Sequence, residues 1–291
     1  MPNTQIAENL TGVKIKRMKR TIIIALVVGL IFTVACKRTT YSKSKTEVPP
    51  VQASIKETKI ISLTVSAAAS LKGPMEEIKQ LYAKENQKVI INYNFGSSGS
   101  LQQQIEQGAD VDLFIPAATK QMNALQDKEL IIDNTKKSLL GNKLVLVIPK
   151  DSQTTITDFK GLANDEFKKI ALGEPKSVPA GQYAEEVFTK LNILESIKLK
   201  AVYGKDVKEV LTWVESGNAD AGIVYESDAK SSDKVKTIAA APAGSHTPII
   251  YPAAIVKTSR NADVAKEFLT FLSGDKAKVV FEKYGFDFIA K

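Results

Sequence analysis

Four short segments of the chain place small or backbone-exposing residues at the point where a helix is expected to begin. They are residues 67–71, 95–101, 179–183 and 206–208. None places a lysine or arginine at the helix start, where unpaired N–H groups and a partial positive charge collect. Several such starts that converge could bind an anion without a formal countercharge. The pattern therefore favours an oxyanion receptor over an enzyme.

The elements that must position these segments alternate along the chain. Short β-branched runs predict buried strands at 60–66, 89–95, 111–116, 144–148, 170–173, 221–225 and 249–256. Apolar residues at three- and four-residue spacing predict helices at 75–84, 184–191, 208–214 and 262–272. This alternation indicates an α/β protein with doubly wound, mainly parallel sheets. Ligands of such sheets bind at the carboxyl ends of strands, where the four segments fall. Two of the segments come early and two late, which predicts a ligand held between two lobes.

Enzyme chemistry is poorly supported by the residue types. Serine hydrolysis needs a base beside the nucleophile, yet His246 is the single histidine and no G-x-S-x-G elbow occurs. A phosphate-binding loop ending in G-K-[ST] is also missing from the sequence. Adjacent acids such as Glu76 and Glu77 point to different sides of a helix and cannot flank one bond. We therefore expect no catalytic residues, no cofactor and no direct bond between protein and metal.

The charge balance argues against a nucleic-acid partner. The chain has 40 Lys and Arg against 32 Asp and Glu, but residues 1–60 hold 11 of the basic and three of the acidic residues. The remaining chain therefore carries equal numbers of both signs. The aromatic residues are not interleaved with basic ones in a stacking platform.

The N-terminus predicts export. Five basic residues between positions 14 and 20 precede an apolar run that ends at Cys36, the single cysteine. The run is short for a bilayer span but suits a signal peptide at 1–35. Cys36 would then be the lipid attachment site, although Thr33 stands where such signals usually carry leucine. The alternative is an uncleaved anchor with a free thiol. The true start could be Met1 or Met18, and polar residues 36–58 predict a flexible tether.

Eight motifs of the chain, taken together, resemble bacterial molybdate-binding proteins, the extracytoplasmic receptors of molybdate ABC transporters. They are VSAAASLKGPM (65–75), FGSSGSLQQQIEQGADVDLFIPA (95–117), LLGNKLVLVIPK (139–150), VPAGQYAEEV (178–187), DVKEVL (206–211), GIVYESDA (222–229), YPAAIV (251–256) and KYGFDF (283–288). They cover the predicted domain in order. Their joint occurrence is far more specific than any one motif.

The resemblance implies which residues hold the tetrahedral anion. In that family the contacts come from serines of the first two motifs, backbone N–H groups of two later ones, and the tyrosine of the GIVY motif. Carried onto this sequence, the oxyanion-binding residues are Ser70, Ser98, Ala180, Val207 and Tyr225. The glycine-rich loop that holds Gly96 and Gly99 leaves Ser97 as an alternative to Ser98.

The resemblance also implies an architecture and partners. The expected fold is the two-lobed periplasmic-binding-protein type II fold, with lobe I at 59–142 plus 250–291 and lobe II at 143–249. The hinge is expected within 142–145 and 249–252. The function implied is binding of molybdate, and also tungstate, for delivery to a membrane permease with a separate ATPase. We expect a monomer that is lipid-anchored to the cell membrane on its outer side. The alternative is a receptor for sulfate or another small oxyanion on the same fold.

A site made only of donors has a predictable selectivity. Each N–H or O–H bond to a charged acceptor contributes about 1.5–3 kcal/mol, so five contacting residues suffice for micromolar binding, which needs about 8 kcal/mol. Hydrogen phosphate carries a proton that needs an acceptor. A buried site without one is therefore expected to discriminate against phosphate.

Overall fold

The computed structural model describes residues 60–290 of the chain. The predicted signal peptide 1–35, the lipid attachment site Cys36 and the tether 36–58 lie outside the described residues. Among the residues described, no helix has both the length and the apolar character needed to cross a membrane.

Eleven strands and nine helices alternate along the described chain. The strands are β1 (Ile61–Ala68), β2 (Val89–Gly96), β3 (Leu113–Ile115), β4 (Lys137–Gly141), β5 (Leu144–Pro149), β6 (Ile170–Gly173), β7 (Ala201–Gly204), β8 (Ala221–Tyr225), β9 (Val235–Ala240), β10 (Ile250–Ile255) and β11 (Asp287–Phe288). The helices are α1 (Lys72–Glu85), α2 (Ser98–Glu106), α3 (Thr119–Asp127), α4 (Pro179–Lys190), α5 (Leu194–Lys198), α6 (Val207–Glu215), α7 (Glu226–Lys230), α8 (Ala262–Leu272) and α9 (Asp275–Lys283). Short 3-10 turns occur at Ala69–Leu71, Asp133–Thr135 and Phe159–Ala163.

The strands form two sheets, which define the two lobes of the molecule. The six-stranded sheet of lobe I has the order β11-β4-β10-β3-β1-β2, and the five-stranded sheet of lobe II has the order β7-β6-β8-β5-β9. The chain passes from the first sheet to the second between Gly141 and Leu144, and returns between Ala240 and Ile250. The predicted α/β fold with two lobes is confirmed.

Both sheets are mixed, which refines the prediction of mainly parallel sheets. Strands β1, β2 and β3 are parallel, as are β6, β7 and β8. In contrast, β10 runs antiparallel to β3 and β4, β11 to β4, and β5 to β8 and β9. The antiparallel direction of β5 and β10 follows from the two points where the chain crosses between the lobes. Leu144, the first residue of β5, lies opposite Tyr225 at the carboxyl end of β8, and Ile250 lies opposite Gly141 at the carboxyl end of β4. A strand that enters a sheet at its carboxyl edge must run against the parallel strands beside it.

The sheet of lobe I is packed on both of its faces. Successive side chains of a strand point to opposite faces, and all three residues of β3 are buried. Leu113 and Ile115 belong to the main apolar cluster, whereas Phe114 joins a second cluster with residues of α2 and α3. Each fully buried side chain of this size stabilises the fold by about 1.5–3 kcal/mol. This two-sided burial explains why the strands are continuous apolar runs.

Candidate anion-binding site

A small cavity lies where the parallel strands of the two sheets point their carboxyl ends at each other. It is lined by Ala68, Ala69, Ser70, Gly96, Ser97, Ser98, Ala117, Val178, Pro179, Asp206, Val207 and Tyr225. These residues follow or end β1, β2 and β3 in lobe I and β6, β7 and β8 in lobe II. Within each sheet the three strands are neighbours. The lining is thus built from the first residues after six parallel strands, which is where ligands of open α/β sheets bind.

The size of the cavity limits what it can hold. Its volume is about 10 Å³. That is about the space that one water molecule needs, whereas pockets for larger organic ligands enclose about 300–1,000 Å³. The cavity is therefore far too small for an organic ligand of that kind.

Among the described residues, helix α2 leaves one N–H group unused at Ser98, which lines this cavity. The side chain of Ser97 caps the helix, because its hydroxyl accepts from the N–H of Ser100 at 3.4 Å and donates to the Ser100 hydroxyl at 2.8 Å. The N–H of Gly99 donates to the carbonyl of Ser177 at 2.8 Å. Within the described chain, the N–H of Ser98 has no acceptor. The Ser98 hydroxyl accepts from the N–H of Ala117 at 2.9 Å, so its own hydrogen remains available.

Helix α4 leaves one N–H group free in the same way. Pro179, its first residue, has no N–H, and the N–H groups of Gly181 and Gln182 both donate to the carbonyl of Val178, at 3.0 and 3.1 Å. Among residues 60–290, no acceptor bonds the N–H of Ala180. The side chain of Ala180 is buried but does not line the cavity, which Val178 and Pro179 line instead. Ala180 can therefore contribute only through its backbone.

Helix α6 repeats the arrangement with a carboxylate cap. Asp206 Oδ1 accepts from the N–H groups of Lys208 and Glu209 at 2.9 and 3.0 Å. The N–H of Val207 has no acceptor in the part of the chain that the structure describes. Because the Asp206 carboxylate is bound to its own helix, its negative charge is partly neutralised by the helix N-terminus. Three helices thus each leave one N–H unpaired beside the cavity.

Two hydroxyl groups complete the set of donors. The Tyr225 side chain is 1% exposed, and its hydroxyl has no partner among the described residues. Burial raises the pKa of Tyr225 well above its usual range, so the phenol keeps its hydrogen. The Ser70 hydroxyl lies 3.0 Å from the hydroxyl of Tyr251. A buried donor without a partner costs about 1–3 kcal/mol, so the Tyr225 hydroxyl is suited to donate to an acceptor oxygen of a ligand in the cavity.

Among the described residues that line the cavity, none is basic and Asp206 is the one that is charged. Lys208 follows on the same helix, but its ammonium lies 2.8 Å from the buried Asp228 carboxylate and 3.2 Å from the Ser231 hydroxyl. Burial raises the pKa of Asp228, while the Lys208 charge opposes that shift. The lysine is therefore held away from the cavity, whose polarity comes from N–H and O–H dipoles.

The structure brings four of the five residues named from the sequence around one cavity: Ser70, Ser98, Val207 and Tyr225. Ala180 is not a lining residue, but it directly follows Pro179, which is. Sequence reasoning placed Asn142 and Tyr251 in the expected hinge segments but did not identify their role beside Ser70, where Tyr251 bonds to Ser70 and Asn142 bonds to Tyr251. No local signal marks that role, because the bonded partners are 181 and 109 residues apart in the chain.

The lobes meet at one edge of the cavity. The bond from Gly99 to Ser177 joins α2 of lobe I to the loop that follows β6 in lobe II. A second bond joins the side-chain amides of Gln121 and Gln182 at 3.4 Å. A Cβ atom at position 99 would lie 2.7 Å from both the Cα and the carbonyl oxygen of Ser177. The lobes approach each other there as closely as a glycine allows.

Comparison with known proteins identifies relatives along the whole described domain. A family described as bacterial extracellular solute-binding protein matches residues 63–287. The Bacillus subtilis protein named "Putative ABC transporter substrate-binding lipoprotein YvgL" is 48% identical over 235 residues, which cover 81% of this chain and 90% of the relative. "Molybdate-binding protein ModA" of Haemophilus influenzae is 44% identical over 227 residues, covering 77% and 89%.

A solved structure is similar over the same region. It is the "substrate binding domain of putative molybdenum ABC transporter from Clostridium difficile", which is 48% identical, with a TM-score of 0.62. The match covers 79% of this chain and 99% of that one. The family match over residues 63–287 spans both lobes and every residue of the cavity lining.

Proposed function

The chain belongs to the bacterial extracellular solute-binding protein family, and we propose that it is a receptor that binds molybdate in the cavity between its lobes. Tungstate is expected to bind as well, because both anions are doubly charged, tetrahedral and nearly equal in size. Relatives named as molybdate-binding proteins support the choice of ligand. The family is one of solute-binding proteins, which agrees with the absence of a catalytic constellation from the sequence.

One observation carries the proposal, namely the set of unpaired donors around a cavity without a basic side chain. The free N–H groups of Ser98, Ala180 and Val207 come from three different helices, and the Tyr225 hydroxyl comes from a strand end. Buried polar groups normally have partners, so four unpaired donors at one place indicate a ligand rich in acceptor oxygens. A compact dianion meets that need, and the helix N-termini favour its charge.

We propose that the ligand is delivered to an ABC transporter permease with its own ATPase. The lobe boundaries in this proposal are 59–142 plus 250–291 and 143–249, with a hinge in the two crossing segments. Closure of the lobes on the anion would change the outer surface of the two lobes, which a permease could then recognise as the ligand-bound state. Lipid attachment at Cys36 is part of the proposal and is supported by the Bacillus subtilis relative that is named a lipoprotein. Mass spectrometry of Cys36 from native membranes tests it.

A competition experiment tests the ligand. The domain after Cys36 is titrated by calorimetry with molybdate, tungstate, sulfate and phosphate. The expected order is molybdate and tungstate tightest, with phosphate at least tenfold weaker, because the residues assigned to the ligand offer donors and the one carboxylate of the lining, Asp206, is bound to its own helix. Sulfate binding tighter than molybdate would replace the proposal with the sulfate alternative. The absence of binding by all four anions would refute it.

Two neighbouring serines allow a matched test of the site. Ser98→Ala removes a hydroxyl donor beside the cavity, and molybdate affinity is expected to fall about 10- to 100-fold. It also leaves the N–H of Ala117 unpaired, so apo stability falls by about 1 kcal/mol. Ser97→Ala is the control, because Ser97 caps α2 and its hydroxyl is already bonded to Ser100. The control should lower apo stability by about 1 kcal/mol with little change in affinity. Equal affinity losses in both variants would contradict the assignment.

A further inference from the structure

A chain of hydrogen-bonded polar groups, buried at Tyr251 and half-buried at Asn142, lies behind Ser70. The Tyr251 hydroxyl is 3.0 Å from the Ser70 hydroxyl, and the side-chain nitrogen of Asn142 is 3.3 Å from the Tyr251 hydroxyl. Ser70 is 3% exposed and Tyr251 is fully buried. Hydroxyl groups can donate or accept, so the direction of the bonds along this chain decides what Ser70 offers to the cavity.

The direction is set at Asn142. Its side-chain oxygen accepts from the N–H of Lys143 at 2.9 Å, which places the amide nitrogen on the opposite side. That nitrogen donates to the Ser227 hydroxyl at 2.9 Å as well as to the Tyr251 hydroxyl. Because an amide nitrogen has two hydrogens and no lone pair to offer, both hydroxyls must accept from it.

The constraint passes from Asn142 through Tyr251 to Ser70. Tyr251 has a single hydroxyl hydrogen, and burial raises the pKa of this phenol well above its usual range, so the hydrogen stays on. Within residues 60–290, Ser70 is the acceptor that meets hydrogen-bond geometry for that hydrogen, since the neighbouring Tyr225 hydroxyl makes no such bond. A buried hydroxyl hydrogen without a partner is costly. Tyr251 therefore donates to Ser70, and the Ser70 hydroxyl has its own hydrogen left.

From this we infer that Asn142 is a specificity-determining residue that forces Ser70 to face the cavity as a donor. The inference rests on the proposed function, since it concerns the selectivity of the same site. Ser70 then offers its hydrogen to the ligand, and one of its two lone pairs is already used by Tyr251. Accepting the hydrogen of a protonated oxyanion such as hydrogen phosphate would therefore leave the Ser70 hydrogen without its ligand oxygen. Asn142, which lies behind Tyr251 and Ser70 as seen from the cavity, thus controls the discrimination between deprotonated and protonated anions.

Asn142 also lies where the chain crosses between the lobes. It follows the last residue of β4 in lobe I and precedes β5 in lobe II. Its nitrogen binds Tyr251 on β10 of lobe I and Ser227 on α7 of lobe II. The bond pattern that orients Ser70 therefore depends on both lobes holding Asn142 in place.

The substitution Asn142→Asp tests the inference because it reverses the chain. A carboxylate accepts where the amide donated, so Tyr251 would donate to position 142 and Ser70 would donate to Tyr251. Ser70 would then turn a lone pair toward the cavity and could accept the hydrogen of hydrogen phosphate. The affinities for molybdate and phosphate are measured by competition titration, at a pH where hydrogen phosphate carries two charges. Both ligands then have equal charge, so the added carboxylate weakens both alike and cancels in the ratio.

The expected result is a fall in the ratio of phosphate to molybdate dissociation constants of at least about tenfold. Asn94→Asp is the matched control, because Asn94 bonds to Ser66 and Gln104 on lobe I and does not line the cavity. The control should leave the ratio within about twofold of the wild-type value. A parallel loss of both affinities in Asn142→Asp, with the ratio unchanged, overturns the inference.

Asn142→Ala keeps the test decisive if the aspartate variant does not fold. Without the amide donor, the Tyr251 hydroxyl is free to turn either way, so the ratio should fall by at least about threefold. An unchanged ratio in this variant also overturns the inference. A wild-type protein that binds no molybdate would instead refute the proposed function itself, so the two failures can be told apart.

Discussion

Replacing Gly99 by alanine should separate lobe closure from the stability of the lobes. Gly99 is the second residue of α2, and an added Cβ would lie 2.7 Å from the Cα and from the carbonyl oxygen of Ser177. Both are backbone atoms of the other lobe, so no side-chain rotation can relieve the contact. The same carbonyl accepts the N–H of Gly99 at 2.8 Å.

These distances determine how much molybdate affinity Gly99→Ala should lose. Ordinary contact begins near 3.4 Å, so the backbones must separate by about 0.7 Å, which stretches the bond between Gly99 and Ser177 beyond its useful range. Overpacking of this kind costs about 1–3 kcal/mol and the lost hydrogen bond about 1 kcal/mol. Allowing for partial relaxation by tilting of the lobes, molybdate affinity should fall about 10- to 100-fold. The isolated lobe gains instead, because alanine stabilises a helix by about 0.5–1 kcal/mol relative to glycine.

The assay combines calorimetry with thermal unfolding of the apo protein. The expected result is a loss of affinity together with an unchanged or higher apo melting temperature, because the clash exists only when the lobes meet. Gly274→Ala is the control. Gly274 precedes α9, and a Cβ there would be 3.4 Å from its nearest neighbour, the carbonyl oxygen of Phe271. That substitution should leave molybdate affinity unchanged.

Two results would refute the reasoning. An affinity of Gly99→Ala within twofold of wild type would mean that Gly99 and Ser177 do not meet in the ligand-bound state. A large fall in apo stability would mean that the two lobes are held together without ligand, so that closure is not linked to binding.

Three further substitutions give predictions of definite sign. Tyr225→Phe removes a buried hydroxyl without a partner, so apo stability should stay the same or rise while molybdate affinity falls about tenfold or more; parallel losses by unfolding and calorimetry would contradict this. Asp228 has a raised pKa despite Lys208, so the native state binds a proton there more readily than the unfolded chain. Wild type should therefore gain stability over Asp228→Asn as the pH falls from that raised pKa to the ordinary pKa of aspartate in the unfolded chain, by about 1.4 kcal/mol per pKa unit, in urea unfolding; a relative loss would mean that the pKa is lowered. Gly181→Ala places a Cβ 2.0 Å from the carbonyl oxygen of Gly173 within lobe II, so apo stability should fall by about 3 kcal/mol, and a change below about 0.5 kcal/mol would show that α4 can move away from β6.

Much of the secondary structure could be read from local pattern. The predicted strands at 170–173 and 221–225 and the predicted helix at 262–272 have the same bounds in the structure. These elements are buried on a continuous run or on one helical stripe, so burial leaves a clear periodicity. The missed strands β4, β9 and β11 are partly exposed or very short. Their residues alternate too irregularly to stand out.

The direction of the strands and the identity of the hydrogen-bond partners could be determined only from the folded chain. Local apolarity predicts that β5 and β10 are strands, but it contains no information about direction, which depends on the sheet edge where each strand enters. The choice between Ser97 and Ser98 as the ligand contact could likewise not be made from the local sequence. Both are small hydroxyl residues at a helix start, and what distinguishes them is that the Ser97 hydroxyl is bonded to Ser100 while the N–H of Ser98 stays free.

The sequence by itself determined the α/β class, the family resemblance and the expectation of an anion held by dipoles, because strand and helix periodicity and the residue types at helix starts are local properties. Tertiary structure alone decided which donors remain unpaired and which way the Ser70 hydroxyl points. Those properties depend on Asn142, Tyr251 and Ser70 meeting across large sequence separations. Hydrogen-bond direction belongs to a network of contacts, and a linear pattern of residues does not encode it.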